Sequence, residues 1–335
     1  MTRQLATLVR AGVPVVDSIS ALTEQVEKEQ LVRVLSAVRE TLNEGTSFAK
    51  SLGMHPKAFQ PLYVNMVAAG EASGNLEAVL ERLADFMEGQ ARLKGKVASA
   101  LAYPVLMMLI GGLLVGFLMV AVVPKVTSIF ENLGQTLPWN TRLLIFSSDM
   151  LADYWWLLIT LAVITTVVFQ RWRSRPEGRL RWDTMQLGWP VFGRLNLLVA
   201  VSRFTRTLST LLSSGVPLLK AMEIGRNVLG NAKLAGVVTE AIGSIREGES
   251  IAEPLKRSGA FPPMVIHMIA VGERTGQLEA MLENVSRAYE SDVETRVTAL
   301  TSLLEPVMIL ALGAVVGFIA MSILMPLMQM NQLVQ

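Results

Sequence analysis

The polar and apolar positions of this chain fall into two regimes. Three stretches carry no charge: Val105–Val123 and Val307–Met325, 19 residues each, and Tyr154–Phe169, 16 residues. At 1.5 Å of rise per residue the two longer runs reach about 28 Å as helices, close to the hydrocarbon thickness of a bilayer. The shorter run opens on Tyr154, Trp155 and Trp156 and is followed by Trp172. Aromatic anchors of this kind sit at membrane interfaces and complete a span. Elsewhere apolar residues recur at helical spacing. Leu76, Val79, Leu80, Leu83 and Met87 share one stripe, and Leu278, Met281, Leu282, Val285 and Tyr289 share another. No segment alternates convincingly enough to predict a strand. The pattern predicts an all-α, polytopic membrane protein.

The two stripes belong to an internal repeat. Gly70-Glu-Ala-Ser-Gly-Asn-Leu-Glu-Ala-Val-Leu-Glu81 returns as Gly272-Glu-Arg-Thr-Gly-Gln-Leu-Glu-Ala-Met-Leu-Glu283, with eight of twelve positions identical. Upstream, Leu5–Val16 aligns with Leu208–Leu219, Asn43–Ser47 with Arg246–Ser250, and Phe59-Gln-Pro61 with Phe261-Pro-Pro263. Each copy runs into an apolar stretch that begins at a proline (Pro104, Pro306) and ends at another (Pro124, Pro326). The expected plan is a helical bundle at 1–101, a span at 102–123 and a loop at 124–153. A second span at 154–170, a second bundle at 171–304, a third span at 305–326 and a tail at 327–335 complete it. The middle span returns the chain so that both bundles, of about six helices each, lie on one side.

Local signals mark the helix ends. In Gly12-Val-Pro14 and Gly215-Val-Pro217, glycine suits the left-handed position that closes one helix and proline opens the next. Gly74 and Gly276 suit the same closing role, with Asn75 a good N-cap for the following helix and Gln277 a poorer one. Ser250-x-x-Glu253 has capping-box spacing. The first copy keeps Ser47 but has Lys50, which leaves half of that cap.

Charge then orients the chain. Charged residues make up 17% of it and hydrophobic residues 51%, against about 25% charged in an ordinary soluble domain. Arg92, Lys94 and Lys96 precede the first span, and Arg171, Arg173, Arg175, Arg179 and Arg181 follow the second. The intervening loop holds Lys125 and Arg142 alone, and the tail holds no cation. The positive-inside rule therefore places both bundles in the cytoplasm and the loop and tail across the membrane. The chain opens on polar-amphipathic sequence, so no signal peptide is expected there. Absence of Cys excludes disulfides, thiolate zinc sites and cysteine nucleophiles.

Little catalytic chemistry can be assembled. Gly89 to Gly95-Lys96 has the wrong spacing for a phosphate-binding loop and lacks its hydroxyl residue. Of the two histidines, His267 aligns with Asn65 and His55 precedes Pro56 in an expected loop, so a nucleophile would have no partnered base. Apart from Ser322, the runs Val105–Val123 and Val307–Met325 hold no polar side chain, which argues against an ion or proton path. The arginines at 171–181 sit beside a span and suit anionic lipid headgroups better than nucleic acid.

Three features remain as candidates. Glu77, Glu81 and Asp85 recur every four residues on the side away from the stripe. Three carboxylates on one face can hold a hard divalent cation such as calcium, or form a solvated or partner-facing surface. The second copy reads Glu279, Glu283, Arg287, which breaks the series. Glu71 and Glu273, beside Gly74 and Gly276, either fix the turn or dock a partner. Gly112-x-x-x-Gly116 and Gly313-x-x-x-Gly317 are small-residue ladders that bring membrane helices close.

Taken together these residues resemble the GspF/PilC family, the platform proteins of bacterial type II secretion and of type IV pilus machines. The resemblance covers essentially the whole chain. It rests on the duplicated plan, the paired Gly-Glu-x-[Ser/Thr]-Gly-x-Leu corners, and the run from Lys96 through Tyr103-Pro104 to Pro124. Its counterpart in the second copy is Glu305-Pro306 to Pro326. Lys125-Val-Thr-Ser-Ile-Phe and Leu137-Pro-Trp-Asn-Thr-Arg142 lean toward the secretion branch. The resemblance implies a non-enzymatic protein of the inner membrane without a cofactor. Its implied partners are a hexameric cytoplasmic secretion ATPase, other inner-membrane assembly-platform proteins, pseudopilins and further copies of itself. Relative to the family, the chain begins within the first helix of copy one, so a preceding segment is expected.

Overall fold

Two glycine–proline corners show how the chain turns from helix to helix. Gly12 and Gly215 take φ of 82° and 81°, and Pro14 and Pro217 stand at the entry of the next helix with φ of −52° and −54°. The computed structural model describes residues 1–125, 139–190 and 192–333, and every regular element among them is helical. The chain divides into two units, Met1–Lys94 with Arg179–Glu294, and Gly95–Gly178 with Thr295–Gln335.

The first unit holds both copies of the repeat. Copy one consists of α1 (Thr2–Arg10), α2 (Val15–Gln25), α3 (Glu29–Asn43), α4 (Phe48–Gly53), α5 (Pro61–Ser73) and the start of α6 (Leu76–Phe117). After α7 (Trp139–Arg173) and α8 (Pro176–Leu187), copy two repeats the series. It comprises α9 (Phe192–Ser213), α10 (Leu218–Val228), α11 (Ala232–Arg246), α12 (Ala252–Ser258), α13 (Pro263–Thr275) and the start of α14 (Leu278–Leu333). From α1 to α5, and again from α9 to α13, each helix packs on its successor. The predicted stripes supply the cores. Val79, Leu80 and Leu83 are buried, as are Leu282, Val285 and Tyr289. The first stripe then continues through Ala84 and Phe86, which leaves Met87 43% exposed at its edge.

One expected cap is not made. α12 starts at Ala252, so Ser250 lies before the helix and its hydroxyl does not cap it. Ser47 does cap α4, accepting the Lys50 N–H at 3.4 Å.

The second unit changes the reading of the prolines. They bracket the apolar runs but do not start or stop helices: Pro104 lies inside α6, and Pro306 and Pro326 inside α14. The segment at 124–153, expected as a loop, is helical from Trp139, and α7 runs without a break into the second apolar stretch. Residues 126–130 and 137–138, which carry part of the secretion-branch pattern, lie outside the described residues, as does the end of the tail.

The closing prolines explain what the first part of α7 does. α6 passes into a π-helical turn at Leu118–Val122, where the Val123 N–H reaches back to the Leu118 carbonyl. The next nitrogen belongs to Pro124 and has no hydrogen, so the Met119 carbonyl loses its helix donor. Ser148 Oγ donates to that carbonyl at 2.5 Å. In α14 the missing N–H of Pro326 frees the carbonyl four residues earlier, Ser322, and Thr141 Oγ1 donates to it at 2.7 Å. Thr141, Leu144 and Ser148 share one face of α7 by helical spacing. Leu144 is buried with Val123 and Ile319 between the two hydrogen-bonding residues. α6 and α14 also approach at Gly111, where an added Cβ would stand 2.9 Å from Leu312 Cδ1.

Three helical stretches, Leu76–Lys125, Asp153–Arg173 and Leu278–Met325, are long and apolar enough to cross a membrane. Their outer faces are bare: Leu113, Phe117 and Leu310 are 67%, 62% and 73% exposed. Apolar surface on that scale calls for lipid or another protein to cover it.

The carbonyl pairing is testable. Thr141→Val and Ser148→Ala should each lower stability by about 1 kcal/mol, the usual worth of such bonds between membrane helices. Thr141→Ser should retain most of it. Unfolding in detergent micelles reads the difference, and equal losses for Thr141→Val and Thr141→Ser would contradict the assignment.

Candidate functional site

The repeated corner is built from the backbone outward. α5 and α13 end on Gly74 and Gly276 in the left-handed conformation, with φ of 68° and 70°. The following N–H groups of Asn75 and Gln277 reach back to the carbonyls of Gly70 and Gly272 at 2.9 and 3.0 Å. These earlier glycines allow the next helix to pass close. A Cβ on Gly70 would lie 3.1 Å from Val79 Cβ, and one on Gly272 would lie 2.8 Å from Leu278 Cα. Neither was singled out from the sequence, although both open the repeated stretch.

Glu71 and Glu273 are used inside the fold. Glu71 Oε1 accepts the Phe48 N–H at 2.6 Å and Oε2 accepts the Ala49 N–H at 2.8 Å. Both amides open α4, whose unpaired N–H groups and positive dipole end suit a carboxylate. Glu273 does the same in copy two, its two oxygens 3.0 and 3.1 Å from the Ile251 nitrogen at the entry to α12. Each glutamate thus ties the helix before the corner to the short helix behind it.

The acidic face beyond the corner differs between the copies. In copy one, Arg10 Nη1 pairs with Glu81 Oε1 at 2.9 Å. Arg3 reaches Asp85 and holds both oxygens of Glu88 at 2.8 Å. These pairs are half-exposed, and pairs of this kind contribute little to stability. The hydrogen bond from Arg3 holds the Glu88 carboxyl below its ordinary value, and the same bond raises Arg3. Stability linked to Glu88 is therefore present above the ordinary glutamate range and is lost as pH falls through the lowered value. In copy two Ser213 stands where Arg10 aligns, and Glu283 pairs with Arg287 of its own helix at 2.5 Å. Glu77 and Glu279 are exposed, nearest the corner.

The cation alternative for Glu77, Glu81 and Asp85 finds two of its three carboxylates paired with arginine. Among the described residues, no group of three or more His, Asp or Glu side chains is placed to hold a metal.

The helix-packing candidates separate into two sets. Pro104 is buried within α6, whereas Tyr103, Glu305 and Pro306 are exposed. Lys96 lies on the polar approach to the first apolar stretch, which Pro124 closes. Gly112, Gly116, Gly313 and Gly317 have no atom within 4 Å of an added Cβ. The close approach between α6 and α14 is made by Gly111 instead. The sequence signal for Gly111 was its position beside the ladder, which does not by itself say which glycine faces the neighbouring helix.

The two roles of the glutamates predict different losses. Glu71→Ala strands two helix-start amides and should destabilise by about 1–3 kcal/mol. Glu77→Ala, on the exposed face, should stay within roughly 0.5 kcal/mol of the parent. Thermal unfolding followed by far-UV circular dichroism measures both.

Comparison with known proteins adds to this geometry. The family model described as type II secretion system (T2SS), protein F matches residues 1–124 and 204–326. Each matched segment covers one copy of the repeat and ends at a closing proline, Pro124 or Pro326. The type II secretion system protein F of Aeromonas hydrophila is 40% identical over 334 residues, covering 100% of this chain and 86% of the relative. That of Pseudomonas aeruginosa is 42% identical over 335 residues, covering 100% and 82%. The type IV pilus assembly protein PilC of Thermus thermophilus is 39% identical over 327 residues, covering 97% and 80%. Identity alone does not separate the two kinds of relative.

Proposed function

The chain belongs to the type II secretion system protein F family, and from that premise we propose that it is an inner-membrane platform for assembly of a secretion pseudopilus. In this reading a hexameric cytoplasmic ATPase engages the two repeat copies. Pseudopilins and other assembly-platform proteins meet the apolar helices, and the assembled pseudopilus drives protein export across the outer membrane. The role is mechanical rather than catalytic.

The observation that carries the reading is the continuity of α6 and α14. Each leads from a glycine corner in a repeat copy into an apolar stretch without interruption. A force applied to either copy then has a helical path toward lipid. Charge supports an orientation with both copies in the cytoplasm, since cations cluster where the chain enters the first span and leaves the second. The bare ladders Gly112/Gly116 and Gly313/Gly317 are open faces on which a second copy or a pseudopilin helix can pack.

A pilus-assembly platform is the second reading, favoured by the PilC relative. Loss of exoprotein release on deletion, with twitching unchanged, supports the secretion role; the reverse supports the pilus role.

Topology can be tested with single cysteines in this Cys-free chain. Glu40→Cys and Glu240→Cys, both exposed, should resist an impermeant maleimide until the inner membrane is opened, whereas Trp139→Cys should react from outside. Reaction of positions 40 and 240 from opposite sides would rule out a shared motor.

Docking can be tested at the exposed carboxylates. Glu77→Lys with Glu279→Lys should reduce copurification with the ATPase by roughly tenfold, the scale of reversing charges at an interface rim. Unchanged copurification would remove these corners from the docking surface.

A further inference from the structure

The segment after the second apolar helix carries a surface that a role in pseudopilus assembly does not account for. Ser174 and Arg175 alone separate α7 from α8, so α8 begins within about 10 Å of the end of α7. Six arginines lie between positions 171 and 194, against two acids, Glu177 and Asp183.

Asp183 is turned inward, at 1% exposure. Its Oδ2 accepts the Ala232 N–H at 2.8 Å at the start of α11. Its backbone carbonyl accepts Asn231 Nδ2 at 3.0 Å, and Asn231 Oδ1 accepts the Leu234 N–H at 3.1 Å. α8 is thereby fastened to the N-terminus of α11. Arg179, 3.9 Å from Asp183, keeps an exposed side chain, and Arg181 and Arg194 are exposed as well.

The apolar side chains of the same segment also face outward. Leu180, Met185, Trp189 and Phe192 are 40–55% exposed. Trp189 stands edge-on to Trp182 at 5.8 Å and to Phe192 at 6.5 Å. Arginine forks match phosphate oxygens, and indole and phenyl rings partition to the boundary between headgroups and acyl chains. A polyanion such as RNA would satisfy the arginines. It would leave unexplained why the rings are bare beside them, at the point where the chain leaves an apolar helix.

We infer that α8 with Trp189 and Phe192 forms a strap that lies on the acidic face of the bilayer. Arg179, Arg181 and Arg194 take lipid phosphates, Trp189 and Phe192 enter the acyl boundary, and Asp183 fastens the strap to copy two. The inference rests on the reading of α7 as a membrane helix.

The test uses the full chain in nanodiscs, with an environment-sensitive dye on Met185→Cys and a headgroup-level quencher lipid. Quenching should rise severalfold when phosphatidylglycerol is added to phosphatidylcholine. R181Q with R194Q should abolish that rise, at about fivefold in membrane partition per arginine, and both positions leave Asp183 untouched. Trp189→Ser with Phe192→Ser should also lose quenching while keeping the charge. A dye that stays unquenched in acidic discs overturns the strap while leaving the membrane reading intact. Failure of the chain to stay with the discs overturns the membrane reading itself. Release of the dye from acidic discs by a short RNA or by polyglutamate would assign the arginines to a polyanionic partner and refute the strap.

Discussion

A carbonyl without a donor is tolerated in water and costs several kcal/mol in hydrocarbon. Proline creates such a carbonyl wherever it sits inside a helix, and this chain places one near the end of each duplicated apolar stretch, at Pro124 and Pro326. The local solutions differ. Before Pro124 the ladder slips into a π-helical turn, so the freed group is the Met119 carbonyl. At Pro326 the helix stays regular and the freed group is Ser322. The same helix answers both, through Ser148 and Thr141. Those hydroxyls stand two turns apart on one face of α7, with Leu144 between them in the buried cluster. Pairing two carbonyls thus fixes the rotation of α7 and the spacing of its contacts with α6 and α14.

The duplicated corners obey a related rule. The backbone-directed parts are kept in both copies: the left-handed glycine, the closely approached glycine before it, and the glutamate on the start of the short helix. The surface parts are not. Copy one neutralises its acidic face with Arg3 and Arg10 from α1, whereas copy two carries an arginine within the face itself. Backbone amides at a helix start demand an acceptor wherever that fold recurs. Exposed ion pairs contribute little to stability and are free to diverge. The two copies therefore share a skeleton while presenting different charge to any partner.

What was legible in the sequence follows the same division. Hydrophobic period and apolar run length announced the helices, including the three long and apolar enough to cross a membrane, because burial and bilayer thickness act on composition directly. Gly74 and Gly276 were legible because a positive φ selects glycine. The choice between fixing the turn and docking a partner at Glu71 and Glu273 could not be made from spacing, since the amides they accept lie 22 and 23 residues away. Ser250 and Glu253 show the converse: the spacing of a capping box was present, but α12 begins too late to use it. Pro104, Pro124, Pro306 and Pro326 were read as the ends of apolar stretches, and spacing alone does not say whether the helix continues through them. Within these apolar helices the remaining ladder persists, and at Pro124 and Pro326 a hydroxyl from a distant segment makes up the loss. The helical start of α7 was hidden for that reason, as its partners lie far away in the chain.

α7 is also the element without a counterpart in the repeat. Duplication supplies two corners, two approach helices and two proline-closed apolar stretches, and each stretch brings a freed carbonyl with it. Neither copy contains the donor that meets its own. Thr141 serves the later copy and Ser148 the earlier one, so α7 answers the closing proline of both apolar stretches as well as joining them. A half consisting of one copy and its apolar stretch would carry its freed carbonyl with no α7 hydroxyl to meet it. The hydrogen-bonded unit is the pair of apolar stretches with α7 between, rather than the repeat itself.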